Sequence, residues 1–180
     1  MTFRDLTADD IEVRVQSVKK NGLVLLLYKN ARVDMNILDE TVGAENWQRE
    51  HYECKGNLFC RVGINISADT EAPAEWVWKS DCGTESNTEA QKGEASDSFK
   101  RACFNWGIGR SLYTAPFIWV PAEKCHIDNG KCFDRFAVEK VVIEHKRITA
   151  ISVVNLSLKA DRPADRRVFV WREKKDDAAV

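Results

Sequence analysis

A chain of 180 residues with 44% hydrophobic and 31% charged residues has the makeup of a globular domain, long enough to bury a core without staples. Its formal net charge of −1 excludes a uniformly basic nucleic-acid binder, and no apolar run reaches the length of a membrane span. The six cysteines follow an acidic, polar start (MTFRDLTADD) that does not read as an export signal, so reduced thiols in a cytoplasmic protein are expected.

Thr7 and Asp10 form a variant capping box that predicts a short helix over residues 8–18. Asn21-Gly22 is a turn, and residues 22–28 read as a buried strand. Val33, Ile37, Leu38 and Val42 recur at helical spacing over 31–42, with Gly43 as the stop. Residues 46–54 alternate through Trp47, Arg49 and His51. A tight turn at 55–57 leads to a returning strand at 58–66, a polar loop at 67–74 and a third strand at 75–82. This is a β-meander. A loop ending in a cap candidate, Asn87 or Thr88, precedes a helix over 89–106 that Gly107 and Gly109 terminate. Pro116 and Pro121 mark a loop. Asp128 to Lys131 is a hairpin turn, strands are predicted at 133–144, 148–158 and 167–172, and 161–167 is a polar loop. The expected class is α+β, an antiparallel meander packed on a long helix with additional C-terminal strands. The expected organisation is a core over 1–121, a strand-rich extension over 122–175 and a frayed tail over 176–180. No repeat or low-complexity segment is present.

The segment KGEASDSFKRACFNWGIGR, residues 92–110, carries most of the functional information. On a helical wheel Ala95, Phe99, Ala102, Cys103 and Trp106 form one stripe, expected to pack on the sheet near Trp76 or Trp78. Gly93, Ser96, Asp97, Lys100 and Phe104 cluster on the opposite side, with Arg101 beside them. A low surface with a cation and a ring suits a single strand, because cations meet phosphates and rings stack on bases. The blander readings are an Arg101–Asp97 pair at i, i+4 and a Phe104 buried against a neighbouring subunit or the C-terminal strands. Basic residues are in excess only over 131–175, where they form either a solvated face, the favoured reading, or a secondary DNA surface.

Other constellations read as structural. Cys125, His126 and Cys132 offer three zinc-type ligands but lack Cys-x-x-Cys spacing, so free thiols are expected and no metal or cofactor is assigned. Asp81, Glu85, Glu94 and Asp97 could gather magnesium in a nuclease. The ordinary role of Glu85 and Glu94 is to lie near a helix N-terminus, so a binding protein rather than an enzyme is expected. Trp47, Trp76, Trp78, Trp106 and Trp119 could stack bases, but packing is the default. No GxxxxGK[ST] pattern occurs, which separates the chain from ATP-driven recombinases.

The segments ARVDMNILDETVGAENWQREH, EWVWKSDCGTESN and KGEASDSFKRACFNWGIGRSLY, with the hairpin between the first two, resemble the Sak-type single-strand annealing proteins of bacteriophages, relatives of the eukaryotic recombination mediator Rad52. The resemblance spans residues 22–121. It implies a β-meander on a long helix, rings or helical filaments formed by joining sheets, and single-stranded DNA in a basic groove around the outside. It implies ATP-independent annealing in recombination or repair; protection of single-stranded ends without annealing is the alternative. By that resemblance Arg32 matches the basic residue that opens the helix before the meander, and Lys100 and Arg101 match the family's Lys-Arg pair. Phe104 stands where eukaryotic members carry a further basic residue, which shifts the expectation from charge towards stacking. Lys92 and Arg110, at the two ends of the helix segment, complete the DNA-binding candidates. Expected partners are single-stranded DNA, copies of the chain, and a partner exonuclease or host single-strand binding protein, in a bacterium or phage-infected cell and without a membrane.

Overall fold

The computed structural model describes residues 1–84, 90–159 and 162–174. They form a mixed α and β fold with antiparallel strand pairing and two α-helices, arranged in two compact units. The first unit is Met1–Arg4 with Asn30–Gly109; the second is Asp5–Lys29 with Arg110–Val180. No helix among the described residues is long and apolar enough to cross a membrane.

The first unit contains α1 (Ala31–Val42), the strands β3 (Trp47–Cys54), β4 (Asn57–Asn65) and β5 (Trp76–Cys82), and α2 (Ala90–Asn105). The strands form a three-stranded sheet in chain order, β3-β4-β5. β3 and β4 are joined through Lys55-Gly56, both with positive φ, the geometry whose twist matches a two-residue hairpin. Strand alternation sends Cys60, Val62 and Ile64 to one face of β4, where all three are fully buried. The α2 residues Phe99, Ala102 and Cys103 and the α1 residues Ile37 and Leu38 are equally buried. Each large apolar side chain so enclosed contributes roughly 1.5–3 kcal/mol. Ser98 is also fully buried, and its hydroxyl donates to the Ala95 carbonyl within the helix.

The sequence places α2 near Trp76 or Trp78; the structure puts it on the other face. Residues opposite one another in an antiparallel ladder share a face, and Val62 is opposite Lys79 while Gly63 is opposite Trp78. Trp106 Nε1 donates to the Val62 carbonyl at 3.0 Å, Lys79 Nζ to the Asn105 carbonyl at 2.9 Å, and that ammonium lies 4.5 Å from the Trp106 ring centroid. Trp78 instead lies flat over Gly63, with the Arg61 guanidinium 4.6 Å from its centroid. The two tryptophans do share a face, 6.2 Å apart.

The second unit holds a six-stranded sheet of order β6-β2-β1-β7-β8-β9. Its strands are β1 (Glu12–Lys19), β2 (Gly22–Tyr28), β6 (Ile118–Pro121), β7 (Phe136–Glu144), β8 (Arg147–Asn155) and β9 (Arg167–Arg172). The helix predicted over 8–18 is a single 3-10 turn, Ala8–Asp10, followed by a strand. The Asp10 carboxylate does accept from the Thr7 backbone and hydroxyl, both at 2.8 Å, but Val13 and Val15 alternate with polar residues, and that period of two wins. The loop around Pro116 and Pro121 contains β6, whose proline closes an outermost strand of the ladder, where a missing N–H is tolerated. The cap candidates Asn87 and Thr88 and the tail 176–180 lie outside the described residues.

Much of the basic excess of the C-terminal strands is engaged in ion pairs. Arg147 meets Glu173, Arg162 meets Asp165, Arg167 meets Glu139 and Lys146 meets Asp5. Glu139 also accepts from Ser152 Oγ, so one carboxylate ties β7, β8 and β9 together; the Arg167 guanidinium holds it below the usual carboxylate range.

Candidate nucleic-acid interface

Asn30 sets the start of α1. Its Oδ1 accepts from the Arg32 backbone N–H at 2.9 Å, which ends the extended chain and begins the helix. Arg32 therefore sits in the first helical turn, exposed, where free N–H groups and the helix dipole favour an anion.

β3 runs along α2 with matched spacing. Two strand residues span about 6.6 Å and four helical residues about 6 Å, so every second residue of β3 can meet every fourth of α2. Trp47 stacks on Phe99 at 6.1 Å, the Arg49 guanidinium lies 4.8 Å from the Phe99 centroid, and His51 Nε2 is 3.0 Å from the Ala95 carbonyl. Trp47 Nε1 also donates to Asp39 Oδ1 of α1 at 2.6 Å, fixing that end of the strand.

Between these elements lies a groove of about 400 Å³. It is lined by Asn30, Ala31, Arg32 and Met35 at the start of α1, by Arg49 and His51 of β3, and by Lys92, Ala95 and Ser96 of α2. Three permanent cations and a histidine surround it, and no carboxylate is among its described lining residues. Ala31, Ala95 and Ser96 keep its walls low, and Met35 offers a polarizable apolar contact. A chain of phosphates with flat bases suits such a surface.

The structure thus brings Arg32 and Lys92 together and adds Arg49 and His51, which sequence reasoning missed. The available signal was their placement two residues apart on the strand face that begins with Trp47. Lys100 lies outside the groove lining, four residues past Ser96 along α2 and so about 6 Å further along the same ridge. It is half-buried, and neither its ammonium nor the Arg32 guanidinium has a hydrogen bond or ion pair among the described residues. Arg101 pairs with Asp81 of β5, Nε to Oδ1 at 3.3 Å, while Asp97 accepts from the Thr84 backbone and hydroxyl. A partner on the sheet face beneath α2 replaces the i, i+4 pair. Phe104 is half-buried, and Arg110 is exposed at the start of a 3-10 turn in the second unit.

The described acidic residues of this set do not converge. Asp81 is held by Arg101, Glu94 accepts from the Leu58 backbone at 3.1 Å, and Glu85 lies outside the described residues. His126 Nδ1 meets Asp134 at 3.1 Å, and burial pushes the Cys125 thiol up to about 11. Among the described residues no group of three or more His, Cys, Asp or Glu side chains could hold a metal ion.

No curated protein and no solved structure matches the chain significantly. The model of a protein family does match, over residues 3–129, which takes in nearly all of the first unit together with β1, β2 and β6. By that match, over well more than half of its length, the chain belongs to the Rad52/22 family of double-strand break repair proteins.

Proposed function

We propose that the protein binds single-stranded DNA and anneals complementary strands without ATP during recombination and repair. The observation that carries this is the groove around which Arg32, Arg49, His51 and Lys92, from three separate elements, are gathered. Membership of a double-strand break repair family supports it. In this reading the groove cations hold phosphates, and the strand continues along the α2 ridge past Lys100 and Arg101, with Phe104 as a stacking surface beyond them. The Arg101–Asp81 pair is partly exposed and worth at most about 1 kcal/mol, so a phosphate competes with it.

Annealing needs no bond chemistry. A protein accelerates it by holding one strand extended, free of hairpins, with its bases available for pairing. A ring or filament of protomers multiplies weak contacts into avid binding. Assembly by sheet edges is supported by β3 and β5, which have no further strand partner among the described residues. The phage Sak type is the variant of the family that the motifs fit, with the infected bacterial cytoplasm as its setting.

The test is annealing of two complementary labelled oligonucleotides, followed by energy transfer in the absence of ATP. Pairing well above the spontaneous rate is expected. Tight binding with no acceleration would assign the protein to end protection instead.

A further inference from the structure

In the six-stranded sheet of the second unit one junction stands apart. β1 pairs with β2 along almost its whole length, and β7 does so with β8, yet β1 and β7 share a single paired position, Glu12 with Ala137. In an antiparallel pair the next partners of β1 would be residues 136 and below. That segment turns away: the Arg135 carbonyl accepts from Leu156 N–H at 2.7 Å and its N–H donates to Ser157 Oγ at 3.0 Å. The outer edge of β1 beyond Glu12 is left without a strand partner among the described residues, beside a notch of about 520 Å³.

The charges of the notch are unbalanced in use. Both carboxylates among its described lining residues are already engaged. Glu12 accepts the Tyr28 hydroxyl, and Asp134, 7% exposed, accepts from His126 N–H at 2.8 Å and from Asn155 Nδ2 at 2.7 Å. Both of its guanidiniums, Arg14 and Arg135, are exposed and make no ion pair among the described residues; Arg14 only overlies the Tyr28 ring at 5.5 Å. Apolar groups line it as well, among them Val13, Val15 and Leu156, which is 45% exposed. An unpaired strand edge, two uncompensated cations and exposed apolar groups together describe a peptide-binding site of the strand-addition kind.

We propose that this notch captures an extended acidic segment of a partner protein, which adds its backbone to the edge of β1 and presents carboxylates to Arg14 and Arg135. Side chains of the added strand alternate, so acidic residues on one face and apolar residues on the other satisfy both the guanidiniums and the apolar lining that includes Leu156.

The probe is a fluorescein-labelled ten-residue peptide of alternating valine and aspartate, titrated into the full chain and read by anisotropy. Binding is expected to weaken roughly ten-fold or more in R14E/R135E and to vanish when alternate peptide amides are N-methylated. An excess of oligothymidine is expected not to displace the peptide. The milder R14Q/R135Q pair, checked by circular dichroism, serves if charge reversal unfolds the protein, and it is expected to weaken binding in the same direction. The proposal is overturned if the peptide does not bind, if the N-methylated peptide binds equally, if the folded variants bind as the wild type does, or if oligothymidine displaces the peptide and so marks the notch as a nucleic-acid site.

Discussion

Arg49 shows how a strand can supply a groove with charge. Its guanidinium rests on Phe99, which limits its freedom while leaving N–H groups for a phosphate. Replacing Arg49 with Ala should weaken oligothymidine binding and reduce the salt slope of log K by about 0.7, the share of one phosphate on a single strand. A helical wheel identifies Phe99, Ala102 and Cys103 as the buried stripe of α2 but not Ser98, because nothing in a serine's polarity signals that a helical carbonyl will take its hydroxyl. Arg49 is hidden in the sequence for a related reason: a basic residue in an alternating strand ordinarily means a solvated face. The cysteines give a check on burial at this scale. Cys60, fully enclosed, is pushed up to about 11 by desolvation, whereas Cys54 is exposed. In the native protein at pH 8 a thiol reagent followed by mass spectrometry should label Cys54 well before Cys60 or Cys103; early labelling of Cys60 would contradict the packing of β4 under α2.

α2 ends because Gly107 can adopt φ 93°. Its N–H reaches the Phe104 carbonyl, and the next N–H, of Ile108, reaches back to Cys103, with Ile108 fully buried. Gly107→Ala should cost about 1–2 kcal/mol in denaturant melts, since an L side chain is disfavoured in the left-handed region. Gly83 has a different constraint: a Cβ there would meet the Glu94 carbonyl oxygen at 2.2 Å, so it permits the close approach of the chain after β5 to α2. Stop signals of this kind, with the turns at Gly22 and Asn129-Gly130, make α1, β2, the meander and the C-terminal strands legible. The segment from Ala8 to Lys19 misleads because its cap is real but its apolar residues repeat every two positions, and β6 is masked because prolines lie at and before its ends. The Glu139–Arg167 link yields a pH prediction at this scale. The Glu139 carboxyl titrates below its unfolded value, so the stability it contributes is complete above the ordinary carboxylate range and is lost as pH falls through the depressed folded value. Thermal melts should show E139Q below the wild type at pH 7, with the gap closing in acid; a gap independent of pH would contradict the ion pair.

The molecule as a whole carries a net charge near zero, so its affinity for a polyanion rests on the placement of charge rather than its sum. In the first unit Arg32, Arg49 and Lys92 gather around one groove, while in the second much of the basic excess is neutralised by ion pairs. Exposed apolar groups in the second unit, Phe117 at 72% and Tyr113 at 67%, are of the kind that assembly buries. F117S should sediment as smaller species than the assembly proposed for the wild type. The sequence motifs make the family legible, but the groove is composed by three elements distant in the chain, and only the fold shows that Arg32, Arg49 and Lys92 meet. The groove is tested most sharply by the salt dependence of oligothymidine binding by the R32A/R49A/K92A variant in its assembled form. Weaker binding is expected, with the slope of log K against log salt shallower by about 2, since each of the three cations neutralises one phosphate. Unchanged affinity and slope in a correctly assembled protein would contradict it.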